Sequence, residues 1–174
     1  MVREISAGGV LIRKREGSWW MAVIEPAGEP AAAVQTEEVK TVGAETTVKA
    51  GKKAKPVLAL PKGLVDAGEK PLEAALREVY EETGTTAEVI NKLADTKYVY
   101  TRAWGDGQRV FKIVSFYLMR YRSGRIDDIA PEMRIEVARA FWIKLEEAPK
   151  LLAYRGEKQM AQLALKYLEE HPEI

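Results

Sequence analysis

Two rhythms of apolar and polar positions run along the chain, one of period two and one of period 3.6. Residues 5–14 (Ile-Ser-Ala-Gly-Gly-Val-Leu-Ile-Arg-Lys) and 19–25 (Trp-Trp-Met-Ala-Val-Ile-Glu) are short β-favouring runs on either side of Arg15-Glu16-Gly17-Ser18, and they predict a hairpin. Apolar character returns at Val57-Leu58-Ala59-Leu60, and a loop is expected from Pro61 through Pro71. The spacing then predicts a helix from Leu72 to about Thr83, opened by Pro71 in its first turn and stopped by Gly84. Strands are expected at about 93–102 and 109–120, joined by the turn signal Trp104-Gly105-Asp106-Gly107, and at 138–143. Leu145–Leu152 suggests a short helix. A final helix over Glu157–Glu170 places Met160, Leu163, Ala164, Tyr167 and Leu168 at helical spacing. The order strands, helix, strands, helix predicts an α/β fold, a mixed sheet with helices against it.

From about Ala27 to Pro56 the pattern breaks. That stretch is Ala, Thr, Val, Glu, Lys and Gly without an aromatic, the profile of an exposed insertion. The remaining chain, within 174 residues that are 47% hydrophobic and 30% charged, suits one domain spanning 1–174.

Charge and composition narrow the chemistry. With 27 Lys and Arg against 26 Asp and Glu, the net charge of +1 gives no sign of a surface for long nucleic acid or an anionic membrane. Cysteine is absent and the only histidine is His171, so a thiolate nucleophile, a thiolate zinc site and a Ser/His/Asp triad are set aside. A catalytic metal must then be held by oxygen, which favours Mg2+, with Mn2+ as the other candidate. The start lacks a signal-peptide core and no stretch reaches the roughly 18 apolar residues of a spanning helix, so a soluble, cytoplasmic protein is expected.

The most informative segment is Gly63 to Thr85. At about 100° per residue, Glu78, Glu81 and Glu82 project within an arc of roughly 100°, while Leu72, Leu76 and Val79 point elsewhere and form the buried face. Like charges three and four residues apart repel, and a bound divalent cation would reverse the sign of that cost. Taken alone, such a helix reads as a solvated acidic face. A phosphate-binding P-loop also has the spacing of Gly63 and Gly68, but it demands Lys where Glu69 stands and Ser or Thr where Lys70 stands.

The full spacing resembles the Nudix box: Gly, five residues, Glu, seven residues, Arg-Glu, an aliphatic, any residue, Glu-Glu, any residue, Gly and an aliphatic. Gly63, Glu69, Arg77, Glu78, Val79, Glu81, Glu82 and Gly84 are in register, and only Thr85 departs, where an aliphatic is usual. The resemblance implies a mixed β-sheet sandwiched between helices and metal-dependent hydrolysis of a nucleoside diphosphate linkage. It implies that Glu78, Glu81 and Glu82 hold the metal, with Gly63 in the same set, and that the attacking group is water whose pKa the metal lowers. Arg77 would orient a box carboxylate, Glu69 would bridge loop and helix, and Lys62 would meet phosphate. Glu136 is in the place of a general base outside the box, with Glu132 as the nearby alternative.

Outside the box, Ser6-Ala7-Gly8-Gly9-Val10, the run Phe111–Met119 and Leu151-Leu152-Ala153-Tyr154 resemble the diadenosine tetraphosphate hydrolase branch of that family. The branch implies Lys112 on phosphate and an aromatic on adenine, with Tyr154, Tyr98 and Tyr100 as candidates. The expected substrate is diadenosine tetraphosphate, cleaved to ATP and AMP. The alternatives are a broader nucleotide pyrophosphatase acting on nucleoside triphosphates, ADP-ribose or 5′ RNA ends, and a non-catalytic nucleotide-binding module. The expected partner is a small-molecule nucleotide, with no long nucleic acid and no membrane, on a monomer or homodimer.

Overall fold

The computed structural model describes residues 1–28, 56–103, 105 and 107–174. The insertion expected at about 27–56 lies outside the described residues over 29–55, as do Trp104 and Asp106 of the expected turn. Strands β1 (Val2–Arg15) and β2 (Ser18–Pro26) form the first hairpin. Glu16 and Gly17 both have positive φ, 52° and 81°, the backbone that a two-residue turn needs to match the twist of its strands. A short strand β3 (Lys62–Leu64) precedes helix α1 (Pro71–Thr83). Strands β4 (Thr85–Thr101) and β5 (Arg109–Gly124) follow, then a 3-10 turn (Pro131–Ile135) and β6 (Val137–Lys144). The chain ends in a 3-10 turn (Leu145–Glu147), the one-turn helix α2 (Ala148–Leu151) and helix α3 (Arg155–Glu170).

Among the described residues the sheet is mixed, in the order β4-β5-β1-β2-β6. Of the described strands, only β1 and β5 pair in parallel, along Val2–Ile12. The opposite edge of β1 is shared: β2 pairs with Ile12–Arg15, and β3 pairs with Ser6–Gly8. The segment leading into the box therefore occupies sheet edge that β2 leaves open. β1 is buried on both faces. Ala7 and Leu11 face α1 together with Ala74, Ala75 and Val79, while Val10 and Ile12 face α3 together with Met160, Ala161, Ala164 and Leu168. No helix among the described residues is long and apolar enough to cross a membrane.

Three expectations need correction. Leu72 is 40% exposed, because α1 seats on the sheet through the small side chains Ala74 and Ala75 and through Val79, with Leu76 only partly buried beside them. Leu163 of the last helix is likewise exposed, the buried stripe running instead through Met160, Ala161, Ala164 and Leu168. β4 starts at Thr85, well before residue 93, because the helix passes into the strand through a single residue, Gly84. Gly84 sits at φ 83° and its N–H reaches Tyr80 O at 2.8 Å. A Cβ there would stand 2.5 Å from Asp128 O. Gly84→Ala is expected to cost on the order of 2 kcal/mol, read as a lower urea midpoint at unchanged m-value. Thr85, the departure from the box, is fully buried, and its hydroxyl lies 2.7 Å from that of Thr83, which itself donates to Val79 O at 2.6 Å. The hydroxyl is thus satisfied where an aliphatic would only pack.

Candidate functional site

Helix α1 brings its glutamates against β3 at the shared edge of β1. Glu78 and Glu82 are 8% and 5% exposed, so two of the three carboxylates do not lie on a solvated face. Glu78 reaches this position because residue 63 is glycine: its carboxyl group occupies the space that a Cβ on Gly63 would take. Glu82 Oε1 accepts the Lys62 amide at 3.0 Å. Arg77 stands behind the cluster. Its Nη1 donates to Glu78 Oε1 at 2.8 Å and to Glu81 Oε1 at 3.1 Å. Its Nε and Nη2 grip the two oxygens of Glu69 at 2.8 and 2.9 Å, and Nη2 also reaches Leu64 O at 3.0 Å. Glu69 thereby links the loop to the helix, and the bonds from Arg77 hold its carboxyl down at about 2.

Electrostatics distinguish the buried pair. Burial pushes Glu78 upward, against the nearby Arg77 guanidinium. Burial pushes Glu82 up to about 8, opposed by the charge and amide of Lys62 and aided by Glu78 and Glu136. A site that raises the energy of its own carboxylates in this way is primed for a cation.

One cavity of about 780 Å³ joins these groups to the rest. Glu78, Glu81, Glu82 and Gly63 line one wall; Glu136 lies at its edge, exposed, and Tyr98, Tyr100, Tyr154, Lys62 and Lys112 line the remainder. Every site residue expected from sequence lines this cavity except Arg77 and Glu69, which are bonded to each other outside its lining, and the alternative Glu132, which is exposed on the 3-10 turn. Lys112 is held down by burial and by Lys62, with Glu4 3.9 Å away as the opposing charge. Tyr100 donates to Glu4 at 2.6 Å, and burial together with that bond raises its hydroxyl to about 12. The rings of Tyr98 and Tyr100 lie 6.3 Å apart, centroid to centroid, a tilted aromatic pair on the cavity wall.

Sequence reasoning missed Glu157 and Glu4. Glu157 is 3% exposed and pairs with Lys62 Nζ at 2.7 Å. Burial alone would lower the Lys62 ammonium, but Glu157 outweighs it and holds the group above its ordinary range. One signal was present. Glu157 continues the stripe of Met160, Ala161, Ala164 and Leu168 at helical spacing, so a charge stands where the pattern asks for an apolar residue. Glu4 carried no such signal, since it alternates as an ordinary outward strand residue.

Do these residues fit a divalent ion? Among the described residues no three carboxylate or imidazole groups already converge as a ligand cage. The bonds from Arg77 and from the Lys62 amide all fall on one oxygen, Oε1, of Glu78, Glu81 and Glu82. The donors are all oxygen, two are buried with raised pKa, and Gly63 leaves the notch that Glu78 fills. That donor set suits a hard cation such as Mg2+ or Mn2+.

Comparison with known proteins agrees with the box. Residues 44–164 match the NUDIX domain. A Mycobacterium tuberculosis protein described as a mutator protein, MutT4, is 39% identical over 105 residues, covering 60% of this chain and 40% of its own. An RNA pyrophosphohydrolase of Erythrobacter litoralis is 30% identical over 103 residues, covering 53% of this chain and 62% of its own. The chain therefore spans less than two thirds of the length of these relatives. A crystal structure of a C. elegans Ap4A hydrolase shares the fold, with a TM-score of 0.63 at 20% identity over 96% of this chain and 98% of the other. With eight box positions in register and the domain match extending over most of its length, the chain belongs to the Nudix family of hydrolases.

Proposed function

We propose that the protein, acting as one catalytic domain over 1–174, hydrolyses a phosphoanhydride bond in a nucleoside diphosphate derivative. The favoured substrate is diadenosine tetraphosphate, which takes up one water and leaves as ATP and AMP. The observation that carries this reading is the convergence on one cavity of the buried Glu78 and Glu82, the cations Lys62 and Lys112, and three tyrosines. Cavities of this size are usual for nucleotide-sized ligands.

Nudix hydrolases generally use divalent metal ions. In this reading Glu78, Glu81, Glu82 and Gly63 would hold Mg2+, with Mn2+ the other ion this oxygen donor set suits. The ion, when bound, supplies charge to the diphosphate oxygens and acidity to water. The chain's own residues do the remainder. Arg77 fixes the orientation of Glu78 and Glu81, and Glu136 takes the proton of the attacking water. Lys62 and Lys112 neutralise the phosphate chain, and Tyr98, Tyr100 or Tyr154 stacks on adenine, an interaction worth roughly 1–3 kcal/mol per base. The reading includes a cytoplasmic monomer or homodimer.

A second reading, removal of diphosphate from 5′ RNA ends, draws support from the relatives named RNA pyrophosphohydrolase, one of which is 40% identical over 78 residues. Product analysis separates the two. The protein is incubated with Mg2+ and a panel of diadenosine tetraphosphate, ADP-ribose, nucleoside triphosphates and triphosphate-ended RNA. ATP plus AMP released from diadenosine tetraphosphate well ahead of the other products is the expected result. Faster release of pyrophosphate from RNA would move the assignment to the second reading.

A further inference from the structure

Glu157 sits in the first turn of α3, on the stripe that packs against the sheet, and its two oxygens have separate tasks. Oε1 accepts the Leu60 amide at 2.8 Å, and Oε2 receives the Lys62 ammonium at 2.7 Å. Pro61 lies between these two residues and has no N–H to offer. The next amide, that of Lys62, donates to Glu82 at 3.0 Å. One buried carboxylate thus secures both the backbone and the side chain of the segment that in turn fixes Glu82.

A fold anchor alone does not require this arrangement. Burying a carboxylate and an ammonium together is at best weakly stabilising, and an amide at position 157 would serve Leu60 as well. What the carboxylate adds is control of the lysine. A lysine side chain has many rotamers in water, and its ammonium must otherwise be ordered when phosphate arrives. Here Lys62 Nζ is held at the cavity wall, 5.5 Å from the Tyr154 ring, with its side chain still 22% exposed.

We propose that Glu157 is a positioning residue for the hydrolysis described above: it holds the Lys62 ammonium pre-ordered for the substrate's phosphate chain and keeps residues 60–62 in register with Glu82. The inference rests on the proposed function, and its test can fail independently of it. The experiment is a double-mutant cycle of wild type, Glu157→Gln, Lys62→Met and the double variant, read in KM and kcat for the best panel substrate with Mg2+. Affinity for inorganic tripolyphosphate is measured by calorimetry on the same four proteins.

Glutamine keeps an acceptor for Leu60 and removes the charge that orders Lys62. Glu157→Gln is expected to raise KM and weaken tripolyphosphate by about tenfold, with little change in kcat, and to have less than about a twofold effect once Lys62 is Met. Glu157→Asp, which restores the charge, is expected to recover most of the loss. An equal loss in both backgrounds marks a merely structural role and overturns the proposal, as does wild-type KM in Glu157→Gln or a tighter grip on tripolyphosphate. If Glu157→Gln does not fold, Glu157→Asp against wild type decides: wild-type affinity or a modest loss confined to KM supports the proposal, and a loss confined to kcat overturns it. If wild type turns over no nucleotide, the proposed function fails while the tripolyphosphate cycle still decides for or against Glu157.

Discussion

Replacing Glu82 by glutamine is expected to abolish most turnover and, in the metal-free protein, to raise stability. The two effects share one cause. Glu82 is 5% exposed, and burial lifts its carboxyl to about 8 from an ordinary value of 4.5. Between those pH values the unfolded chain has lost the proton and the folded protein keeps it. Stability of the metal-free protein therefore falls as pH rises through that window. Glutamine retains an oxygen for the Lys62 amide and carries no charge to bury. The apoprotein should gain on the order of 1–2 kcal/mol, about 2–4 °C in Tm per kcal/mol for a chain of this length, and the gain should grow from pH 6 to pH 8. Turnover should drop by on the order of 10²- to 10³-fold, the loss typical of removing one electrostatic contact to a transition state. Thermal melts in EDTA at the two pH values, beside rates with Mg2+, check both halves. A glutamine variant that melts lower than wild type at pH 8 would remove the argument that burial strains this carboxylate.

Gly63→Ala should also disable the site, by displacement. The backbone at Gly63 is not in the left-handed region, so alanine fits the chain conformation. Its methyl group, however, would occupy the place of the Glu78 carboxyl group. Glu78 must then leave its position beside Arg77 Nη1, now at 2.8 Å. A displacement of about 1 Å at a reacting group can cost on the order of 10²-fold in rate. The expected result is a folded variant with kcat reduced by about that factor and weakened metal dependence. Wild-type kcat in a folded Gly63→Ala protein would mean that Glu78 does not act from this position. The comparison with Gly84→Ala is informative, because there the damage is to stability.

Local chemistry made some of this legible from sequence. The hairpin at Glu16-Gly17, the start of α1 at Pro71 and its stop at Gly84 all depend on residues within a few positions of one another. The box was legible for the same reason: Glu78, Glu81 and Glu82 share a helix, and Arg77 reaches two of them from within a turn. Periodicity does not say how closely a helix approaches its sheet. It counts Leu72 as core although Ala74 and Ala75 make the contact, and it does not show that β3 lies against Glu78 and Glu82 and buries them. Long-range pairing was least visible. Lys62 and Glu157 are 95 residues apart, and Glu4 and Tyr100 are 96 apart. Tyr100 meets Glu4 through the successive pairings of β4 with β5 and β5 with β1, and Lys62 meets Glu157 because β3 pairs with β1 while α3 packs on that sheet.

If the acidic helix works with a divalent ion to cleave a diphosphate linkage, turnover must follow the metal. The most direct test is to strip the protein with EDTA and follow diadenosine tetraphosphate by product chromatography as Mg2+ is restored. No cleavage is expected without metal, and saturable release of ATP and AMP in equal amounts is expected as Mg2+ rises. Cleavage that persists in excess EDTA would contradict it, and so would intact substrate, with every other nucleotide in the panel also untouched, at saturating Mg2+ and Mn2+.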